Sequence, residues 1–218
     1  MIHAIYMAAG NSRRFGSNKL LYPYQGKPLY RHGLDLLLEL KKEMGPKLSV
    51  TVVTQYPEIL MEVQTLFRNS GMGELKSVFC EDSKKGASYT IKAGIEAVKR
   101  TLAAEGESDY LMFLVADQPH LTLESVRKLI EAAGSFRGTA FLETLSLRCN
   151  GTLGNPCMFR EDLIPELLTL TEDQGGRKIL KRHFCQYVDI LDEKELEDVD
   201  DLHFFEKKKE RVALLQDT

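Results

Sequence analysis

The chain has 218 residues, of which 43% are apolar and 28% are charged. These fractions are ordinary for a folded domain and argue against a disordered, collagen-like or membrane-spanning protein. The formal net charge of -3 argues against a nucleic-acid or membrane-surface binder, because such proteins usually carry a basic excess. We expect a single domain over residues 1–218 with a sizeable core.

The cysteine pattern and the first residues predict where the protein resides. No two cysteines are spaced as CxxC, and no Cys/His pair has zinc-finger spacing, so we interpret all of them as buried free thiols. The first ten residues have no basic segment, and their apolar run is too short for a signal peptide. A reduced, cytoplasmic compartment is expected. The cysteines are Cys80, Cys149, Cys157 and Cys185.

Short apolar segments alternate with longer helical segments in the first part of the chain. This alternation predicts an α/β fold with a doubly wound, mostly parallel sheet between two helical layers. Tyr110–Ala116 is almost wholly apolar, which is typical of a parallel strand buried on both faces. The predicted strands and helices are His3–Ala8, Pro28–Glu43 (with Pro28 at the first helical position), Leu48–Thr54, Glu58–Asn69, Ser77–Cys80, Tyr89–Ala104, Tyr110–Ala116 and Leu123–Ala133.

The pattern becomes less regular after about residue 138. The remaining predicted elements are strands in Thr139–Leu147 and Gly151–Phe159, a helix over Arg160–Leu170, a short helix over Arg177–Arg182, a strand over Gln186–Ile190 and a terminal helix over Leu202–Leu215. Ligands of open α/β sheets bind at the carboxyl ends of the strands. We therefore expect the residues just after Ala8, Cys80 and Ala116 to face one crevice.

The loop after the first strand reads AAGNSRRFGSNK from Ala8 to Lys19. Its small residues let the backbone approach a ligand closely, and exposed N–H groups in such a loop can bind anionic oxygens. Arg14 and Lys19 add cationic donors that suit a triphosphate. The loop contains neither GxxxxGK[ST] nor GxGxxG. A plain glycine-containing turn with exposed basic residues remains the alternative at this point.

An acidic residue follows the most apolar predicted strand, in the string Ala116-Asp117-Gln118-Pro119. A carboxylate at the end of a buried strand is costly unless it is solvated, hydrogen-bonded or metal-bound. Mg²⁺ prefers carboxylate and phosphate oxygens. Asp117 is therefore the candidate metal ligand, and a turn-capping Asp before Pro is the alternative.

These two segments resemble a known family. AAGNSRRFGSNK is similar to the AAGxSxRxGxxK signature of the nucleotidyltransferases that build molybdenum cofactors, and ADQP is similar to the corresponding string of the molybdenum cofactor cytidylyltransferases. The resemblance to these MobA/MocA-like proteins runs from residue 2 to about 205. It implies the Rossmann-like nucleotidyltransferase fold, with a nucleotide-binding half over about 1–120 and an acceptor-binding half over about 121–205, followed by a C-terminal helix.

The resemblance implies roles for individual residues on the nucleotide side. Arg14, Lys19 and Asp117 would be catalytic, with Mg²⁺ as the cofactor held by Asp117. Gly86 and Ser88 would contact the nucleotide, although Tyr89 stands where a small residue is commoner in the family. The positions that match the signature loop and would bind the nucleotide are Ala8, Ala9, Gly10, Ser12, Arg14, Gly16 and Lys19.

Two further segments resemble the acceptor side of the family. Gly154-Asn155-Pro156 is similar to its GNP segment, which implies that Asn155 binds the acceptor. The stretch from Asp173 to Arg177 is similar to its GDxGxR loop, although Glu172 replaces the first Gly. This likeness implies acceptor contacts from Asp173 and Arg177. An N-capped start of a short helix is the alternative.

Near the end, Asp198-Val199-Asp200 resembles the DID of a closing DIDTPED motif, but the next residues depart from it. The likeness implies that Asp200 is the second metal ligand, with Asp198 as the other choice. Because the whole stretch is acidic, a simply solvated segment is the alternative.

The implied reaction is nucleotidyl transfer from CTP to the phosphate of molybdopterin, the pterin of the molybdenum cofactor, with release of pyrophosphate. A transient contact with a molybdoenzyme maturation chaperone would then follow. Transfer from GTP or to another phosphorylated acceptor is a first alternative, although guanylyl relatives usually carry Gly at the position of Ala9. A non-catalytic nucleotide- or cofactor-binding module is a second, and the presence of Arg14 and Asp117 argues against it. A nicotinamide-dependent oxidoreductase would need the missing glycine fingerprint.

Overall fold

A computed structural model describes residues 1–12, 15–99, 102, 109–135 and 142–200. The strands are β1 (Ile2–Ala8), β2 (Pro23–Tyr24), β3 (Lys27–Pro28), β4 (Leu48–Thr54), β5 (Leu75–Phe79), β6 (Tyr110–Val115), β7 (Thr144–Cys149), β8 (Thr152–Arg160) and β9 (Cys185–Asp189). The α-helices are α1 (Leu29–Met44), α2 (Pro57–Ser70), α3 (Ala87–Val98), α4 (Leu123–Ser135), α5 (Ile164–Leu167) and α6 (Arg177–Leu180).

Within these described residues, seven strands form one sheet in the order β5-β4-β1-β6-β8-β7-β9, and β2 and β3 form a small separate hairpin. β8 runs antiparallel to both of its neighbours, whereas all other neighbouring strands of the sheet pair in parallel. The predicted doubly wound, mostly parallel sheet is confirmed.

The core lies on both faces of this sheet. Alternate residues of β6 point to opposite sides: Met112 and Leu114 belong to one apolar cluster, and Leu111 and Phe113 belong to the other. The first cluster is covered mainly by α1, α2 and α4, and the second by α3, α5 and α6. This burial on both faces explains the nearly continuous apolar sequence of β6 and produces the three-layer α/β/α architecture.

The prediction of a helix over Arg160–Leu170 is wrong at its start. Arg160 still belongs to β8, where it is paired with Tyr110. A 3₁₀ turn over Glu161–Leu163 follows, and only the four residues of α5 are α-helical. Pro165 lies in the first turn of α5, where its missing N–H needs no partner.

Other element boundaries differ by smaller amounts. Pro28 occupies the N-cap position of α1 rather than its first helical position. α3 starts two residues earlier than predicted, and its α-helical part ends at Val98. The predicted terminal helix over Leu202–Leu215 lies outside the described residues, as do residues 100–101, 103–108 and 136–141.

All four cysteines are free, as expected. Cys149 and Cys157 are buried, but Cys80 and Cys185 are only partly covered, so the prediction that all are buried holds for two of them. Burial raises the pKa of the Cys157 thiol to about 12. No helix in the described part of the chain is both long enough and apolar enough to span a bilayer.

Candidate active site

A cavity of about 520 Å³ opens at the carboxyl ends of β1 and β6. Its volume lies within the range typical of small-molecule sites. The walls come from the loop after β1, the segment that leads into α3, the end of β6 and two acidic residues from later in the chain. The lining residues are Met7, Ala9, Gly10, Asn11, Ser12, Lys19, Leu20, Ser83, Ala87, Thr90, Val115, Ala116, Asp117, Asp173 and Asp200.

The loop after β1 folds back on itself at Ser12. This residue has a φ of 48°, a left-handed conformation that is costly for most residues other than Gly. Its carbonyl accepts a hydrogen bond from the Phe15 N–H at 2.9 Å, and its Oγ accepts one from the Lys19 N–H at 3.1 Å. The Asn18 side chain accepts from the Leu20 N–H at the start of a 3₁₀ turn. These bonds fix the backbone from which the Lys19 side chain extends.

Two residues that follow β4 anchor the same loop. The Gln55 side-chain amide donates to the Ala9 carbonyl at 2.6 Å and to Asn11 Oδ1 at 3.0 Å. The Tyr56 hydroxyl donates to the Gly10 carbonyl at 2.5 Å. The backbone that lines the cavity is therefore held by side chains from the neighbouring strand. Neither residue was predicted from the sequence.

Lys19 joins the loop to the acidic side of the cavity. The residue is only 7% exposed. Its Nζ donates to Asp117 Oδ2 at 2.6 Å and to the Val199 carbonyl at 2.7 Å, and it lies 3.9 Å from Asp200 Oδ1. The structure thus brings together the lysine and the two aspartates that the sequence assigned to catalysis and metal binding.

The segment that carries Asp198 and Asp200 is tied to the end of β6. The Val199 N–H donates to the Asp117 carbonyl at 2.9 Å, and the Val199 residue is fully buried. Burial, together with the negative charges of Asp117 and Asp200, raises the pKa of the Asp198 carboxyl to about 6. Negative charge is therefore concentrated where the loop and this segment meet.

The cluster of Lys19, Asp117 and Asp200 fits a hard divalent cation. Asp117 and Asp200 supply oxygen ligands of the type that Mg²⁺ prefers, and one ammonium group already lies near both carboxylates. Among the described residues, no group of three or more His, Cys, Asp or Glu side chains has the arrangement of a metal site. A metal held by this pair would take its other ligands from phosphate oxygens and water.

The 3₁₀ turn over Glu81–Lys85 and the first turn of α3 form another wall. Ala87 and Thr90 line the cavity, and Thr90 Oγ1 donates to Ser83 Oγ at 2.9 Å. Ser88 is fully buried and does not line the cavity, and its N–H donates to the Glu172 carbonyl at 3.0 Å. Ser88 was predicted from the sequence, whereas Thr90, on the cavity side of α3, and Ser83, in the 3₁₀ turn over Glu81–Lys85, were not.

The predicted acceptor residues are only partly brought together. Asp173 lines the cavity, but Asn155 and Arg177 are not among its lining residues in the described part of the chain. The Arg177 guanidinium donates to the Leu153 carbonyl, and Asn155 Oδ1 accepts from the Cys157 thiol at 3.7 Å. Both residues are therefore engaged with β8 rather than turned to the cavity.

Of the remaining predicted residues, Gly86 precedes α3 and does not line the cavity, and the others lie at the end of β1 or in the loop after it. Ala8 is fully buried at the end of β1, where it underlies the loop. Gly16 has a φ of 74°, which favours glycine, and it does not line the cavity. Arg14 lies outside the described residues.

The three-layer architecture with its mostly parallel seven-stranded sheet is the fold of the α/β nucleotidyltransferases. A family model described as the MobA-like NTP transferase domain matches residues 4–188. The protein therefore belongs to the MobA-like NTP transferase family.

Known proteins extend this likeness over nearly the whole chain. The purine catabolism protein PucB of Bacillus subtilis is 26% identical over 202 residues, which cover 91% of this chain and 89% of PucB. The crystal structure of Rv0371c from Mycobacterium tuberculosis has a TM-score of 0.68 and 18% identity, with 96% and 97% of the two chains covered. Its complex with manganese has a TM-score of 0.61 and 18% identity, with 94% and 96% covered.

A third similar protein is the molybdopterin-guanine dinucleotide biosynthesis protein A from Archaeoglobus fulgidus. Its structure has a TM-score of 0.63 and 14% identity, and the match covers 98% of this chain and 99% of that one. At such low identity these structures show the shared fold, and the substrates in their names belong to those proteins.

Proposed function

We propose that the protein transfers a cytidylyl group from CTP to the terminal phosphate of molybdopterin in the cytoplasm. The observation that carries this proposal is the meeting of Lys19, Asp117 and Asp200 in one cavity beneath the loop after β1. A cation donor and two carboxylates at the carboxyl ends of parallel strands suit a bound nucleoside triphosphate and its metal.

In this reaction a phosphate oxygen of the acceptor attacks the α-phosphorus of CTP. The bond between the α-phosphorus and the bridging oxygen breaks, pyrophosphate leaves, and molybdopterin cytosine dinucleotide forms. Because the attacking phosphate is already anionic, no strong general base is needed. The protein's contribution is to position the two substrates and to neutralise charge.

The lining residues divide this task between them. The backbone from Ala9 to Ser12 approaches the triphosphate, and the Lys19 ammonium neutralises charge on the departing pyrophosphate. Arg14, carried over from the family signature, acts on the same charge. Asp117 and Asp200 would hold Mg²⁺, which would supply positive charge to polarise the α-phosphate. Asp173 lines the same cavity and would contact the acceptor.

Two sequence strings and the name of one relative support this choice of substrates. The AAG and ADQP strings resemble those of the cytidylyl-transferring members of the family. PucB is named for purine catabolism, a setting in which a hydroxylase of the xanthine dehydrogenase type would consume the dinucleotide. A transient contact with that enzyme's maturation chaperone belongs to the same proposal.

Guanylyl transfer is the second candidate, because the relative from Archaeoglobus fulgidus is named for a guanine dinucleotide. Thermal unfolding with CTP, GTP, ATP or UTP, each with and without Mg²⁺, separates the two. A nucleotide at 100 times its Kd adds about 2.7 kcal/mol of stability. Selective stabilisation by CTP supports the proposal. Selective stabilisation by GTP would mean that the protein transfers a guanylyl group in the same type of reaction.

Pyrophosphate release with molybdopterin as the acceptor then tests turnover itself. CTP-dependent release that requires the pterin is the expected result. Binding of CTP without any release would favour a nucleotide-binding module over an enzyme.

A further inference from the structure

The Lys19 ammonium occupies the space between the carboxylates proposed to bind the metal. It donates to Asp117 Oδ2 at 2.6 Å and lies 3.9 Å from Asp200 Oδ1. A divalent cation on the same two side chains would have to displace this ammonium or bind close to it. Two cations that share one pair of carboxylates repel each other strongly in a partly buried site.

The lysine is also bound to a group that is not a carboxylate. A third contact, to the Val199 carbonyl at 2.7 Å, holds the ammonium in place with the residue only 7% exposed. An ammonium group has three donors, and two of them are used by Asp117 and Val199. In the nucleotide-free protein these bonds oppose the entry of a metal.

The same side chain can reach a different anion. Lys19 lines the cavity together with Gly10, Asn11 and Ser12, which form the loop proposed to hold the triphosphate. The closest non-neighbouring atom to a Cβ built on Gly10 is Lys19 Cε, at 3.9 Å, so the stem of the lysine passes directly beside this loop. Phosphates bound there would offer the ammonium a stronger partner than the Val199 carbonyl.

We propose that Lys19 acts as an internal counter-ion that keeps the metal site closed until a nucleotide draws its ammonium onto the phosphates. The inference rests on the proposed function for its metal ligands, Asp117 and Asp200. By linkage, anything that removes the ammonium from these carboxylates strengthens metal binding to them. The nucleotide-free protein therefore binds a divalent metal weakly, and loss of the lysine charge strengthens that binding.

The test is a titration of the nucleotide-free protein with Mn²⁺, followed by the electron paramagnetic resonance signal of the free ion. We expect Lys19→Gln to bind Mn²⁺ at least about tenfold more tightly than the wild type, because one opposing charge is removed. Lys19→Arg keeps the charge and should bind Mn²⁺ as weakly as the wild type. Lys27→Gln removes a lysine that pairs with Asp35 elsewhere, and it controls for net charge.

The double variant Lys19→Gln with Asp117→Asn locates the effect. If this variant no longer binds Mn²⁺ tightly, the Mn²⁺ ion in Lys19→Gln is bound by Asp117, the carboxylate that Lys19 contacts in the wild type. An unchanged Mn²⁺ affinity in Lys19→Gln, or no binding at millimolar concentration, would overturn the inference.

A second measurement uses the unaltered protein and does not depend on how the variants fold. Lysine acetylation is followed by mass spectrometry as Mn²⁺ is added without nucleotide. Lys19 should become more reactive at saturating Mn²⁺, because its ammonium has left Asp117. Lys41, which is 4% exposed and donates to the Gly45 and Leu48 carbonyls, should stay protected. Continued protection of Lys19 at saturating Mn²⁺ contradicts the inference.

The outcome is separable from that of the proposed function. If nucleotides stabilise the wild type but Lys19→Gln leaves the Mn²⁺ affinity unchanged, the counter-ion role fails and the proposed reaction stands. If no nucleotide binds but Lys19→Gln tightens Mn²⁺ binding, Lys19 still closes the metal site, whereas its release by a nucleotide and the proposed reaction both fail.

Discussion

Gly86 packs directly against the backbone of Glu172. A Cβ at position 86 would lie 2.3 Å from the carbonyl carbon and oxygen of Glu172, and 2.7 Å from the Asp173 nitrogen. The φ of Gly86 is 142°, a conformation that L side chains rarely adopt. Beside it, the Ser88 N–H donates to the same Glu172 carbonyl at 3.0 Å. The segment before α3 and the loop with Asp173 thus meet backbone to backbone at one side of the cavity.

The first prediction follows from this close contact. Gly86→Ala should lower the free energy of unfolding by at least about 2 kcal/mol, because it adds backbone strain to a steric clash. Displacement of the loop should also weaken the proposed contact between Asp173 and the acceptor and so raise the KM for the acceptor. Urea denaturation and the KM for the acceptor measure the two effects.

Gly175→Ala is the matched control for that change. Gly175 lies in the same loop, and a Cβ there would meet nothing within 4 Å. The free energy of unfolding of Gly175→Ala should stay within about 0.5 kcal/mol of that of the wild type. Equal effects of the two substitutions would show that the contact between Gly86 and Glu172 contributes nothing specific.

The second prediction concerns Glu172 itself. Its φ of 52° places a residue with a side chain in the left-handed region, which costs about 1–2 kcal/mol. Glu172→Gly removes that strain but adds the backbone entropy of glycine, so a net stabilisation of about 0.5–1 kcal/mol is expected. Glu172→Ala retains the Cβ and should not stabilise. Thermal unfolding of the two variants distinguishes relief of strain from loss of the carboxylate, and equal melting temperatures would argue against strain.

Glu172 also illustrates which features of the site could be predicted from sequence motifs. The resemblance described above implies Gly at this position, and Gly adopts the left-handed backbone of Glu172 without strain. Nothing in the sequence indicates the contact with Gly86. Asp117 was predictable because a carboxylate at the end of an apolar strand is costly unless it has a partner. The loop residues Gly10 and Ser12 were predictable from their place after β1.

Other parts of the site could not be predicted from local sequence patterns, because they depend on how the helices and strands pack in three dimensions. Ser88 was assigned to the nucleotide, but the rotation of α3 buries it and turns Ala87 and Thr90 to the cavity. Gln55 and Tyr56 follow β4, so the rule that ligand sites gather at the carboxyl ends of strands could have found them. The start of the predicted helix at Arg160 failed because strand pairing with β6 outweighed local helical character.

The third prediction tests the carboxylate at the end of β6. Asp117→Asn keeps the shape of the side chain but removes its charge, so it should reduce turnover on the order of a thousandfold, because metal binding contributes several kcal/mol to the transition state. Steady-state pyrophosphate release below the melting temperature measures the loss. Near-wild-type turnover would remove Asp117 from the catalytic metal site.

Asp162→Asn provides the comparison for a general effect of losing an aspartate. Asp162 pairs with Arg160, and its side chain is 50% exposed. The turnover of Asp162→Asn should equal that of the wild type. Asp117→Asn should also lower stability, because the Lys19 ammonium loses its charged partner at 2.6 Å.

The last prediction concerns a histidine outside the cavity. His183 Nε2 lies 2.9 Å from Glu166 Oε1, and Nδ1 lies 2.9 Å from Glu143 Oε2. The ion pair with the Glu166 carboxylate raises the pKa of His183 above its ordinary value of 6.5, burial partly opposes this shift, and the hydrogen bond to Glu143 adds to it. Because the folded state holds this proton more tightly, the stabilisation is full below the unfolded-state pKa and is lost as the pH rises through the folded-state pKa.

His183→Gln removes the titrating group but keeps side-chain hydrogen-bonding capacity. The stability difference between the wild type and this variant should therefore be largest near about pH 5.5 and should shrink towards about pH 8.5. Buried His3 has a lowered pKa and acts in the opposite direction, but it is present in both proteins and cancels in the difference. Urea unfolding across this pH range measures the difference, and a constant value would show that His183 keeps the same proton affinity when the protein unfolds.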